Sequence, residues 1–332
     1  MSNFVLVETP VVLPTERRAP LPVLQLLAFA AVYLIWGSTY LGIRVAVESL
    51  PPFLLAGLRS FLAGALLFIV LRLRGARAAT LREWLRAALA GTIMLTAGNG
   101  LVTWAGRAVP SNLAALAIAA VPAFVALFDW LRPGGQRPVR GVLLGVLLGL
   151  AGMLLLLRPD PAAVGTERWL PLLALLVAGI SWAVGSLYVR YQKLHPNPLL
   201  SGAQQMLAGG GALLLLSLLS GELRHFDPSA VSSRSLLAWG YLTVFGSLLA
   251  FSAFNWLMSV STPARVSTTA YVNPVVAVVL GWLVLDEPLQ PATLGGGALI
   301  VCAVLAMTLA RQKKIGAQAG SAAPRITSDR ES

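Results

Sequence analysis

Only one cysteine occurs in the 332 residues, Cys302, and it lies inside the last apolar run. No intramolecular disulfide framework can hold such a chain together. Histidine is almost as scarce. His195 and His225 both fall at loop-like positions, so neither a histidine metal cluster nor a Ser-His-Asp constellation can be assembled within the apolar segments. The phosphate-cradling pattern G-x-x-x-x-G-K-[ST] is missing, which argues against ATP hydrolysis by this chain. Asp and Glu together number 13, and none sits near the centre of an apolar run. Asp129 stands close to the end of one, so a carboxylate proton relay is not visible. These absences lead us to expect no catalytic residue, no metal and no cofactor. Charged residues make up 11% of the chain, under half the ~25% of soluble domains.

What fills the chain instead is apolar: 57% of it. Runs of roughly 18–24 apolar residues recur along nearly its whole length, the signature of a polytopic helical membrane protein. The formal charge of +12 could point to nucleic acid. The basic residues cluster in short loops between apolar runs, however, which is a topology signal and an attraction to anionic lipid. We expect the bilayer as a partner and no nucleic acid. A cleavable signal peptide would explain the first apolar run after Arg17-Arg18, but that run continues through Trp36, Gly37, Ser38 and Tyr40. It is too long and too decorated for the usual apolar core of a signal, so it reads as a retained span.

The pattern predicts ten transmembrane helices, over residues 22–44, 53–72, 84–106, 110–131, 139–157, 168–190, 199–219, 235–257, 264–285 and 291–310. Residues 1–21 and 311–332 read as polar tails. Counting Lys and Arg in alternate connections gives eighteen on the side of the tails and six on the other, with Arg59 inside a span. This asymmetry places both termini in the cytoplasm.

The stretch from Ser267 to Pro288 carries Tyr271, Asn273 and Pro274 in the middle of an apolar run. Pro274 cannot donate to the carbonyl of Ala270, so a bend is expected there. The stretch repeats an earlier one. At an offset of 152, Pro122 matches Pro274, Trp130 matches Trp282 and Trp104 matches Trp256. At an offset of 146, Trp36 matches Trp182, Arg44 matches Arg190 and Pro52 matches Pro198. Two units of five spans follow, at 22–157 and 168–310, joined by a loop at 158–167. An odd number of spans per unit turns the second upside down, giving an all-α fold of two inverted five-helix repeats around a central cavity, with the solute site near the midplane.

Candidate substrate-binding residues are Trp36, Ser38 and Tyr40 in span one, with Trp182 as the repeat partner of Trp36. Trp36 and Tyr40 lie four apart and share a face that can stack on a solute; an interfacial aromatic belt is the structural alternative. Asn99 and Trp104 in span three, Asn255 in span eight, and Tyr271 and Asn273 in span nine complete the aromatic and amide groups. The amides compete with a role as interhelical glue. Arg59, inside span two, could meet a carboxylate on the solute, snorkel outward, or pair with Glu48. Gln204-Gln205 at its repeat position are weaker candidates. Pro122 and Pro274 are candidate hinges. Asp286 and Glu287 read as a contact to a neighbouring element or as coupling residues. Gly141, Gly145 and Gly149 recur at a spacing that lets helices approach closely, within the chain or in a dimer; the oligomeric state stays open, a monomer included.

Ile35-Trp36-Gly37-Ser38-Thr39-Tyr40, Pro51-Pro52-Phe53 with Arg59, and Asn273-Pro274 through Asp286-Glu287-Pro288 resemble the EamA-type branch of the drug/metabolite transporter superfamily, and within it the YedA/YddG-like exporters. The resemblance spans both halves, from about Leu26 to Leu309. It implies a ten-helix inverted-repeat exporter of the inner membrane, with a cavity lined by the first four helices of each half and with helices five and ten outside. One departure stands out: where the second half has Glu287-Pro288, the first has Arg132-Pro133. The expected function is secondary transport, exporting small polar metabolites, amino acids above all, by alternating access. The alternatives are an uptake carrier for nucleotide sugars or other metabolites, and a non-transporting sensor or assembly factor with a dry interior.

Overall fold

The computed structural model describes residues 22–135, 140–156, 169–192, 194–224, 226–261, 266 and 269–321. Among them the regular structure is entirely helical. In chain order the helices are α1 (Pro22–Ala46), α2 (Pro52–Leu73), α3 (Leu81–Ala105), α4 (Ser111–Leu131), α5 (Arg140–Leu156), α6 (Trp169–Tyr191), α7 (Pro198–Leu219), α8 (Ser233–Leu257), α9 (Thr269–Leu285) and α10 (Pro291–Ser321). Seven are long and apolar enough to cross a membrane: α1–α4 and α6–α8. The other three contain shorter apolar stretches, Arg140–Gly152, Val272–Leu285 and Leu294–Ala303.

Local chemistry sets the starts. Pro52 and Pro198 occupy first-turn positions where a missing N–H costs nothing. Thr80 and Glu83 form a reciprocal capping box at the start of α3, and Ser232 caps α8 through the N–H of Ser235. At the other end of the chain, α10 continues past the predicted limit at residue 310 as far as Ser321. Arg311, Gln312, Lys313 and Lys314 are strong helix formers that carry it past the apolar stretch.

The molecule is apolar on the outside. Leu26, Leu66, Leu144 and Leu283 are all more than half exposed, the arrangement expected where lipid is the solvent. The buried positions are mostly alanine and glycine, which let backbones approach where no hydrophobic gradient drives helices together. At the α5–α10 contact a Cβ on Gly152 would lie 2.8 Å from the carbonyl oxygen of Gly296, and one on Gly149 would lie 3.6 Å from the Cβ of Ala303. This small-residue stripe is therefore used inside the chain. Elsewhere α2 packs on α7, α1 on α8 and α9, and α6 on α3 and α4.

Three irregularities interrupt the spans. α3 and α8 each contain a wide-turned π-helical stretch, Thr92–Gly100 and Leu242–Ala250. α4 breaks at Ala119-Ala120 and restarts at Val121 with Pro122 in its first turn. By contrast α9 runs through Pro274 without interruption.

The end of α9 explains the Asp-Glu-Pro motif. Asp286 adopts a left-handed conformation (φ 51°) and turns the chain back, so that the N–H of Glu287 donates to Gly281 O at 3.1 Å. The buried Glu287 carboxylate then accepts from Ser111 N (2.6 Å), Ser111 Oγ (3.0 Å) and Asn112 N (3.0 Å). It thus sits at the N-terminus of α4, where a negative charge is favoured by the helix dipole. The helix that benefits is not the one that carries the acid. Glu222 does the same for α2, accepting from the N–H groups of Phe53 (3.1 Å) and Leu54 (3.0 Å). Charge-assisted bonds of this kind contribute about 1.5–3 kcal/mol each, so Glu287→Ala is expected to lower the unfolding midpoint in detergent by several degrees. An unchanged midpoint would show that the N-terminus of α4 needs no such partner.

Candidate functional site

A cavity of about 310 Å³ lies among α1–α4 on one side and α6–α9 on the other. Of the residues singled out in the sequence, Trp36, Tyr40, Arg59, Asn99, Trp182, Asn273, Pro122 and Pro274 line it. Ser38, Trp104 and Asn255 do not. The hydroxyl of Ser38 donates to Ile35 O (2.8 Å) and pairs with Tyr241 Oη at 2.5 Å. Trp104 packs against the hydrophobic cluster at one end of the molecule. The Asn255 amide donates to Phe251 O at 2.8 Å. Tyr271 belongs to α9, but its side chain lies outside the described residues.

Arg59 is 4% exposed and organises the middle of the cavity. Its guanidinium donates to Asn99 Oδ1 and, at 3.4 Å, to Ser247 Oγ. Asn99 lies in the π-helical stretch of α3 and Ser247 in that of α8, so the two widened turns converge on one cation, one from each half. Such bulges are common where a helix must re-aim a side chain. Of the readings left open in the sequence, the structure favours neither snorkelling nor Glu48, whose carboxylate stands 3.9 Å from Arg234 instead.

Trp36 forms the aromatic wall. Its indole N–H donates to Gly246 O at 3.3 Å, again in the α8 π-helical stretch. Its ring meets Trp182 edge to face at 6.2 Å and lies 4.9 Å from Phe254, within the range of favourable ring pairs. Also on the lining, the Asn273 amide, in the orientation that matches donor to acceptor, donates to Tyr33 O (3.2 Å) and Thr269 O (3.3 Å). It therefore ties α9 to α1. Gly37 allows that approach, since a Cβ there would lie 3.2 Å from Asn273 O.

The two ends of the cavity differ. At one end Ile43, Ala46, Val102, Ala105, Val109 and Leu55 form a buried hydrophobic cluster. Beside it Arg44 donates to Gly106 O (2.8 Å) and Arg107 O (2.7 Å), satisfying carbonyls left free at the C-terminus of α3. At the other end Arg190, exposed at the last turn of α6, lines the cavity together with Ser186, which places an opening there. Nearby Tyr191 donates to Asp129 Oδ1 at 2.5 Å, and Arg132 stacks 4.1 Å over the Tyr191 ring.

Ser186 and Arg190 were not among the sequence candidates, although a signal was present. Trp182, Ser186 and Arg190 recur every four residues on one face, as Trp36, Tyr40 and Arg44 do in the first half. Ser247 and Phe254 gave no such sign, because their role depends on the widened turn in α8.

Residues 23–158 and 169–309 each match the EamA-like transporter family. The Escherichia coli K12 protein named "Uncharacterized inner membrane transporter YedA" is 41% identical over 285 residues, covering 86% of this chain and 90% of the relative. "Uncharacterized transporter YoaV" of Bacillus subtilis is 24% identical, covering 87% of this chain and 98% of its own. A "Probable terminal-alkyne amino-acid exporter" of Streptantibioticus cattleyicolor is 26% identical, covering 84% and 92%. A solved crystal structure superposes with a TM-score of 0.61 at 23% identity over 87% of this chain and 99% of that one, a likeness of fold. The apolar exterior, the cavity shared by both halves and these matches agree: the chain belongs to the EamA-like transporter family of the drug/metabolite transporter superfamily, multi-spanning carriers of small solutes rather than enzymes.

Proposed function

We propose that this protein exports small polar metabolites, amino acids foremost, from the cytoplasm by alternating access through the cavity around Arg59. In this reading ten helices cross the inner membrane as two inverted five-helix repeats, 22–157 and 168–310, with both termini cytoplasmic. The observation that carries it is the cavity itself: about 310 Å³, lined from both halves, aromatic on one wall and polar at its centre, within the size range of small-molecule sites.

The pairing of helices supports the repeat. Exchanging each helix with its counterpart five places on turns α1–α8 into α6–α3 and α1–α9 into α6–α4, and leaves α2–α7 and α5–α10 unchanged; all these contacts are present. The π-helical stretches also fall at corresponding places. Export of an amino-acid-like solute is supported by the printed name of the Streptantibioticus relative, and inner-membrane residence by that of the Escherichia coli one. The end at Arg190 is the end that the Lys/Arg asymmetry assigns to the cytoplasm, so this conformation receives solute from inside. A non-transporting sensor with a dry interior is less well supported, because the centre is hollow and polar.

Counterflow of labelled amino acids in proteoliposomes tests the proposal. Saturable counterflow is expected, reduced at least about tenfold in Trp36→Ala, since an aromatic contact and its buried area contribute more than ~1.4 kcal/mol. Absence of counterflow for every amino acid, in protein whose helical content and insertion are intact, would remove amino acids as the solute class.

A further inference from the structure

Taking the cavity as a solute site, we infer that it recognises its solute by a carboxylate and leaves the amino group without an ionic partner. Among the described residues both charged groups on its lining are cations: Arg59 at the centre and Arg190 at the opening. No Asp or Glu is found on that lining among the described residues. Arg59 is buried, and its hydrogen-bonding partners are the neutral Asn99 and Ser247. Its Nε has no hydrogen-bond partner. An arginine taken out of water without an anion is an expensive arrangement, and a guanidinium is well shaped to receive a carboxylate through two parallel hydrogen bonds.

The solute completes the site. A carboxylate entering past Arg190 gains from both positive charges and meets at Arg59 the counter-charge that the protein omits. Its apolar body then lies against Trp36, Trp182 and Phe254. A protonated amine finds no carboxylate to pair with. It meets two cations and only the neutral polar groups of the wall, such as Tyr40 and Asn273. The amino group of an amino acid is therefore tolerated rather than required, and the selected class is small monocarboxylates with an apolar or aromatic body.

Three probes separate the ends of the molecule: L-phenylalanine, 3-phenylpropanoate, which keeps the acid and lacks the amine, and phenethylamine, which keeps the amine and lacks the acid. Binding is read as thermal stabilisation of the purified full-length protein and as competition in counterflow. Phenylalanine and 3-phenylpropanoate are expected to bind within a few-fold of each other, with phenethylamine at least about tenfold weaker, the loss of one charge-assisted pair. Arg59→Gln should weaken both acids by a similar factor and leave the amine unchanged, and Arg59→Lys should restore part of the difference. The probe series on the unaltered protein decides the question even if Arg59→Gln does not fold. Preference for the amine over the acids would overturn the carboxylate assignment while leaving an amino-acid cavity in place. Binding of none of the three would overturn both.

Discussion

A single methyl group at Gly209 or Gly210 is expected to destabilise the protein severely, whereas the same change at Gly211 should be harmless or stabilising. The three glycines are consecutive in α7, yet they meet different surroundings. A Cβ on Gly210 would stand 2.5 Å from the backbone nitrogen of Phe61 and 2.9 Å from its Cα, and one on Gly209 would stand 2.5 Å from the carbonyl oxygen of Gly91. In both cases the obstacle is backbone, so α2 or α3 would have to move away from α7 as a unit. Nothing lies within 4 Å of a Cβ on Gly211. Overpacking of this kind costs about 1–3 kcal/mol or more. Replacing an unconstrained helical glycine by alanine instead gains roughly 0.5–1 kcal/mol. Unfolding midpoints of the three alanine variants in detergent check this directly. Equal effects at all three positions would contradict the close crossing of α7 with α2 and α3.

Removing the side chain of Arg44 should open the sealed end. Its guanidinium donates to Gly106 O and Arg107 O and holds the C-terminus of α3 against α1. Arg190 occupies the matching place in the second half, but it lines the open cavity instead. Alternating access in an inverted repeat would exchange these roles, with Arg190 taking carbonyls at the end of α8 when the first end opens. Two hydrogen bonds from a partly exposed cation contribute about 2 kcal/mol, so Arg44→Ala should shift the balance between the two states roughly thirtyfold. Arg190→Ala should act in the opposite direction. The check is labelling of Ile43→Cys, at the edge of the hydrophobic seal, in a Cys302→Ser background. Faster labelling in Arg44→Ala and slower labelling in Arg190→Ala are expected, and identical rates in both would remove the exchange of roles.

Much of this is legible in the sequence. Long apolar runs can only be helices when lipid is the solvent, so among the described residues the helices fall within about a turn of where the hydropathy places them, except that α9 is described only from Thr269 and α10 runs on to Ser321. The match of Trp36 with Trp182 located two residues that line one cavity. Trp36, Tyr40, Arg59, Asn99 and Asn273 could be singled out because polar or aromatic groups in apolar spans are costly to leave unused. What stayed hidden depends on crossings between distant segments. Glu287 could be seen to end α9, but its partner lies 176 residues away at Ser111. Ser247 looked like any serine in an apolar span until the π-helical stretch of α8 turned it toward Arg59. Trp104 and Asn255 carried the same polar or aromatic signal as the lining residues, yet they face a packed cluster and their own helix. Composition cannot tell a face turned to a cavity from one turned to a neighbour.

The most direct test of the central claim is the reactivity of one cysteine, placed at Ser186 on the cavity wall in a Cys302→Ser background, toward a membrane-impermeant thiol reagent applied to either face of the membrane. Without solute, reaction from the cytoplasmic face is expected; with a transported solute present, reaction from the opposite face should appear as well. A cysteine that never reacts from the opposite face, in protein that still performs counterflow, would contradict passage of solute through this cavity.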